Sequence, residues 1–377
     1  MAKLKHRWSL GHNYMTGVTF GIWLRLLRQN GFRLSPAYWH RVVVITLASL
    51  ANSAIALWEH LRHGRATEAV QITEAPLFIL GHWRSGTTLL HDLLAQDSAQ
   101  FNFANTYQVV NPLTYLTTEG TITRLLPGLV PAKRPMDNMA LSFTSPQEDE
   151  FAPLLMTGLS VYLGVSFPQT GAVYENYLSF RGVPRREVEA WKAAFLRFCR
   201  KLSLTDRRAL LLKSPPHTAR IRTILEMFPD ARFVHIHRDP YTVFQSQRHF
   251  FDTAGWFTYL QTPDLDAIDE GILQRHETMY DAFFEDLALI PPGQFIELRF
   301  ADLEADPVTQ IAEVYAKLGL TGFDAFRPRL ERYVVSLTGY KKNRFPPLDA
   351  TTRQQVATRW RRSFATWSYP TDPGDGA

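Results

Sequence analysis

Short unbroken apolar runs alternate with longer helical periodicities along the central and C-terminal parts of the chain. Pro76–Leu80 (PLFIL), Ala209–Leu212, Arg232–His237 and Phe295–Phe300 read as strands, because a strand buried on both faces shows a continuous run instead of alternation. Each run is followed by a helical pattern: Leu89, Leu90, Leu93 and Leu94 after the first, then His217–Phe228, Asp239–His249, and a helix starting at Asp306-Pro307 and reaching about Leu318. Strand, loop and helix repeated in this way are the βα units of a parallel sheet.

Three stretches break the rhythm. Residues 1–70 are helical and aromatic-rich and end in the polar turn His63-Gly64-Arg65, so they form a helical N-terminal extension. Residues 71–368 form the main α/β domain, within which 111–205 is a mainly helical insertion on the acceptor side; 369–377 is a tail expected to fray. Inside the extension, Val42 to Trp58 carries no charge, and Thr46, Ser49 and Ser53, with Asn52 beside them, place a polar stripe on one face. The run is a little shorter than the ~20 residues of a spanning helix. Upstream, Trp8, Tyr14, Phe20 and Trp23 mix with Arg25, Arg28 and Arg33, a combination found in interfacial helices. A helix packed on the protein is the first reading. Peripheral membrane contact through residues 1–60 is the second, and a true span the third. The basic N-terminus is followed by no short apolar core with a cleavage site, so a secretory signal is not expected.

Charge narrows the partners. The 377 residues carry a formal +5, which favours an anionic ligand, yet the basic residues form no single run and no nucleic-acid-binding signature is present. A phosphorylated small molecule fits better than nucleic acid. The one cysteine, Cys199, falls in the helical pattern Val188, Trp191, Phe195, Phe198, Leu202 and reads as a packing residue. It excludes an intrachain disulfide and a zinc site built on cysteines, and suits a cytoplasmic protein, including one at the inner face of a membrane.

The most informative string is Gly81-His-Trp-Arg84-Ser85-Gly86-Thr87-Thr88, directly after the first strand. Two glycines five apart and then hydroxyl residues opening a helix have the spacing of a phosphate loop. Backbone N–H groups wrap the anion, the helix N-terminus adds positive partial charge, and Arg84 adds a bidentate fork. The lysine of nucleoside-triphosphate hydrolases is replaced by Thr87, which weakens both the β/γ-phosphate contact and the magnesium geometry. The loop therefore suits a 5′-phosphosulfate better than a triphosphate, and no metal is expected. A second string, Phe233 to Ser246, is a strand ending in Arg238, followed by a helix that brings Ser246 about two turns on. Arg238 and Ser246 at a strand's carboxyl end make a second phosphate site. Two such sites match a 3′,5′-bisphosphorylated adenosine.

With these two motifs the chain resembles the sulfotransferases that use 3′-phosphoadenosine 5′-phosphosulfate (PAPS) as co-substrate. The strings LFILGHWRSGTTLLHDLLA, NPLTYL, RPMDN, SPQEDE and LLLKSPPH look closest to the bacterial branch of the tyrosylprotein type. The resemblance covers about 75–345 and implies an α/β fold with a P-loop-like parallel sheet flanked by helices. It implies that Arg84, Ser85, Gly86, Thr87 and Thr88 hold the 5′-phosphosulfate, and that Arg238 and Ser246 hold the 3′-phosphate. Lys213, at the end of a strand, resembles the family lysine that stabilises the transferring sulfonate. Lys342 and Arg344 resemble a late basic loop that closes over the nucleotide.

The general base stays open at this stage. Glu148 and Glu150 in Ser145-Pro-Gln-Glu-Asp-Glu, His217 after Lys213, and behind them His82 and Asp137 are the candidates; the family glutamate after the first helix has no counterpart in Phe103–Tyr107. Acids at a helix start also have a plain solvated reading. The acceptor is a hydroxyl of a small molecule, lipid or glycan. The rivals to sulfonate transfer are a P-loop phosphotransferase and a non-catalytic, membrane-associated nucleotide-binding module. The oligomeric state is not readable from the sequence.

Overall fold

The computed structural model describes residues 4–11, 13–125, 128, 136–137, 139, 141–339, 342–343 and 345–371. Its strands are β1 (Leu77–Leu80), β2 (Phe101–Phe103), β3 (Ala209–Lys213), β4 (Arg232–His237) and β5 (Phe295–Arg299). They form a five-stranded sheet in the order β2-β3-β1-β4-β5. The pairs β1–β4, β4–β5 and β2–β3 are parallel, with Leu77 opposite Arg232, Phe233 opposite Phe295 and Phe101 opposite Ala209. All four residues of β1 are buried, as its unbroken apolar run requires. The short Phe-Asn-Phe strand β2 was not foreseen: three residues with a polar centre leave no periodic trace.

The chain divides into two compact units, Met1–Pro76 with Ser98–Leu212 and Asp252–Asp264, and Leu77–Asp97 with Lys213–Phe251 and Leu265–Ala377. The first is largely helical. It holds α1 (Phe20–Gln29), α2 (Trp39–Glu68) and the helices Tyr115–Leu125, Phe151–Thr157 and Arg185–Thr205. The last of these buries Trp191, Phe195, Phe198, Cys199 and Leu202 on one face, so Cys199 is a packing residue.

The expected turn at His63-Gly64-Arg65 is instead continuous helix to Glu68. Gly64 is buried there, and a Cβ on it would come within 2.7 Å of the His60 ring. A glycine costs a helix about 1 kcal/mol relative to alanine, and here it leaves room for the His60 ring one turn back, whose Nδ1 lies 2.9 Å from Arg197. The polar stripe of α2 faces the protein. Thr46 Oγ1 accepts from Trp23 Nε1 at 2.9 Å, Ser53 Oγ accepts from the Phe20 N–H at 2.8 Å, and Asn52 Nδ2 donates to the Thr16 carbonyl at 2.7 Å. Further along, the buried Glu59 accepts from the Thr117 N–H at 2.9 Å and pairs with the buried Lys201.

The second unit holds β1, β4 and β5 and the helices that follow them. The helix expected over His217–Phe228 is split into a 3-10 turn, Pro215–Ala219, and a helix Ile221–Met227. Two adjacent prolines remove two N–H donors and favour the tighter turn. Residues 369–371, expected to fray, are packed: the Tyr369 hydroxyl lies 2.9 Å from His237 Nδ1, and Tyr241 donates to the Thr371 carbonyl at 2.7 Å.

Candidate active site

The loop between β1 and α3 (Thr87–Leu94) needs both of its glycines. Gly81 has φ +148°, and a Cβ there would sit 2.5 Å from the Ile236 carbonyl oxygen; Gly86 has φ +107°, and its Cβ would sit 2.2 Å from the Phe300 ring. Between them Arg84 takes the left-handed conformation at φ 71°, an uncommon choice for a side-chain-bearing residue outside a functional turn. The loop is pinned from within and behind. Ser85 Oγ donates to the His82 carbonyl at 2.8 Å, and Thr218 Oγ1 accepts from the Gly81 N–H at 2.8 Å. Gly86 gives α3 no side-chain cap, so the first-turn N–H groups meet the loop without one.

The two phosphate motifs converge. Arg84 Nε donates to Ser246 Oγ at 2.9 Å, and Arg238, at the carboxyl end of β4, donates to the Arg84 carbonyl at 3.4 Å. The Arg238 guanidinium lies 4.3 Å from the centre of the Phe300 ring, which holds it flat by cation–π attraction. Two arginines, a serine hydroxyl and an open loop at strand ends form an anion cradle. Its glycines turn the backbone where Ile236 and Phe300 leave no room for a Cβ, and its two arginines supply the positive charge, so the residues fit a phosphorylated nucleotide donor. Sequence reasoning missed Phe300, which both props Arg238 and closes against Gly86. Its position just past the end of β5, on the ligand edge, is the signal that marks it.

The remaining candidates separate by burial. Lys213, the last residue of β3, is almost fully buried. His217 is fully buried with its ring edge-on to Phe78 at 5.4 Å. Phe78 lies two residues short of the carboxyl end of β1. His82 is also buried, against His276 and Trp360, and burial pushes its pKa down to about 4. Of the two glutamates, Glu150 is fully buried and accepts from Ser160 Oγ at 2.7 Å, whereas Glu148 is half-buried and receives the Tyr162 hydroxyl. Asp137 is buried and accepts from the Met139 N–H at 3.4 Å. Lys342 is an exposed residue paired with Glu304 at 2.6 Å, while Arg344 lies outside the described residues. Among the described residues, no group of three or more His, Cys, Asp or Glu side chains could hold a metal ion.

Known proteins resemble the chain over most of its length. A model of the sulfotransferase family matches residues 76–325. The omega-hydroxy-beta-dihydromenaquinone-9 sulfotransferases of Mycobacterium bovis and Mycobacterium tuberculosis are each 37% identical to the chain over 353 residues, covering 94% of it and 90% of the relative. Among solved structures, sulfotransferase STF9 of Mycobacterium avium matches with a TM-score of 0.69 at 18% identity, covering 93% of this chain and 96% of that one. Sulfotransferase STF1 of Mycobacterium tuberculosis matches with a TM-score of 0.63 at 18% identity, over 90% of each chain. At that identity the two structures speak for the fold alone. A tyrosylprotein-type branch is a finer placement than these matches carry.

Proposed function

Since the chain belongs to the sulfotransferase family, we propose that it moves the sulfonate of PAPS onto the hydroxyl of a lipid acceptor. The observation that carries the donor half is the meeting of Arg84, Ser246 and Arg238 over an open glycine loop. In this reading Arg84, Ser85, Gly86, Thr87 and Thr88 hold the 5′-phosphosulfate, and Arg238 with Ser246 holds the 3′-phosphate. Arg84 touches Ser246, so it couples the two sites. The acceptor oxygen forms its bond to sulfur as the bond between sulfur and the bridging oxygen of the 5′-phosphate breaks. The electron pair leaves with adenosine 3′,5′-bisphosphate. Lys213 stabilises the charge growing on that bridging oxygen. The acceptor proton passes to a general base. Lys342 belongs to a loop that closes over the nucleotide in this scheme.

The acceptor half rests on the mycobacterial relatives, whose names give a hydroxylated dihydromenaquinone as their substrate. A long isoprenoid alcohol is therefore the class of acceptor to offer first. Calorimetry with adenosine 3′,5′-bisphosphate tests the donor site: binding is expected, weakened about 10- to 100-fold in Arg238→Ala. Binding that ignores this substitution overturns the assignment. Transfer of labelled sulfonate from PAPS to a hydroxylated isoprenoid quinol, and its absence with short hydrophilic alcohols, tests the acceptor.

A further inference from the structure

The helix α2 is amphipathic in the inverted sense. Its hydroxyl, amide and carboxylate groups (Thr46, Asn52, Ser53, Glu59) are consumed by hydrogen bonds inside the first unit. Its outward face carries Trp39, Val43, Leu47, Leu50, Leu57, Trp58 and Leu61, with Leu47 62%, Leu57 61% and Leu61 73% exposed. A surface helix of a water-soluble protein does the opposite. The spacing of these residues follows the helix repeat, so they form one stripe, about 33 Å from Trp39 to Leu61 at ~1.5 Å per residue. A contiguous exposed apolar face of this size marks an interaction surface.

Charge identifies the partner. Residues 1–70 contain nine lysines and arginines against two glutamates, a surplus of seven, while the whole chain carries only +5. The rest of the protein is therefore slightly negative, and the positive charge belongs to the segment that bears the stripe. Arg33 lies exposed just before the stripe, and Arg62 and Arg65 lie exposed at its other end. Tryptophans near both ends, with arginines beyond them, suit a helix lying along a headgroup layer.

We propose that the outward face of α2 is a docking surface for an anionic lipid bilayer, on which the helix lies flat with its apolar stripe in the acyl boundary. By length and composition alone the helix is able to cross a membrane. Spanning would strip the inward hydrogen bonds to Trp23, Phe20, Thr16 and Thr117 of their partners, each an expensive loss in hydrocarbon. Lying flat keeps them all and covers only the apolar side.

The test is sedimentation of the full chain with vesicles of phosphatidylcholine alone and of phosphatidylcholine mixed with phosphatidylglycerol. Binding is expected to be stronger to the anionic vesicles and to fall with salt. Leu47→Asp and Leu57→Asp are each expected to cut partitioning roughly tenfold, and the pair Arg62→Glu and Arg65→Glu to cut it about fivefold or more on anionic vesicles only. Calorimetry with adenosine 3′,5′-bisphosphate should be unchanged in all of them. That readout separates a failed docking surface from a failed donor site and from a misfolded variant. Three results overturn the proposal: a wild-type protein that ignores vesicles, partitioning that survives Leu47→Asp with Leu57→Asp, or a protein that resists alkaline extraction as a spanning helix would. A dimer that these substitutions dissociate, without vesicle binding, assigns the face to a second copy and overturns it as well.

Discussion

The glycine loop after β1 and helix α2 use polarity in opposite ways. In the cradle, Arg84, Ser246 and Arg238 gather at strand ends over a loop whose glycines keep side chains out of the way. In α2 the polar groups bind the protein's own backbone and side chains, and the apolar side is left outward. The same residue types, serine, threonine and basic groups, gather at strand ends in one place and serve internal assembly in the other. Which role a polar stripe has depends on what it faces, and that is a property of tertiary packing.

The sharpest way to break the inward polarity of α2 is Glu59→Gln. Lys201 is buried, and burial already pulls its pKa down to about 8 despite the Glu59 charge beside it. Without that counter-charge the protein should lose roughly 3–5 kcal/mol of stability, read from denaturant titration. The double change Glu59→Met with Lys201→Met should recover most of it. Unchanged stability in the single variant would mean that the pair contributes nothing to folding.

Slightly smaller is the effect expected at the other region. Lys213→Ala should lower kcat about 100- to 1000-fold while leaving stability and vesicle partitioning alone, because its charge matters chiefly when the bridging oxygen becomes anionic. A loss of bisphosphate affinity with no loss of kcat would reassign Lys213 to ground-state binding.

Acid sensitivity sharpens the contrast further. Burial holds the imidazole of His82 down to about 4, and burial with the neighbouring His82 holds His276 well below its ordinary value. The unfolded chain takes up these protons from about pH 6.5, whereas His82 in the folded chain resists until about 4. Stability is thus full above pH 6.5 and is lost as pH falls through that window, by about 3 kcal/mol for His82 alone. The melting temperature followed from pH 7 to 4 should show the decline, and His276→Phe, which keeps an aromatic ring against Trp360, should flatten it. A profile identical in the variant would show that His276 is not held neutral.

Much of the fold was legible along the chain. The runs at β1, β3, β4 and β5 fall within a residue of where the strands lie; β1, β3 and β4 are buried, and a strand buried on both faces has to be continuous in sequence, whereas β5 is an edge strand that is mostly half-exposed. The loop from Gly81 to Thr88 was legible for a similar reason: tight anion cradles tolerate few residue types, and those types stand next to one another. Three-residue β2 was less so, since so short a strand is decided by its pairing with β3, more than a hundred residues away, while Gly64 inside a helix and the proline-split turn at Pro215 depart from single-residue rules that the local context overrides.

The sequence by itself determined the family, and the two local strings that pointed to it have backbone requirements set by residues close together in the chain. Only the tertiary structure showed that Arg84 reaches Ser246, that Phe300 props Arg238, that His217 is buried against Phe78, and that burial holds the His82 imidazole neutral. It also decided which face of α2 looks outward. Local rules fix dihedral angles and periodicity, but burial, pKa and the direction of a helix face depend on residues a hundred or more positions away.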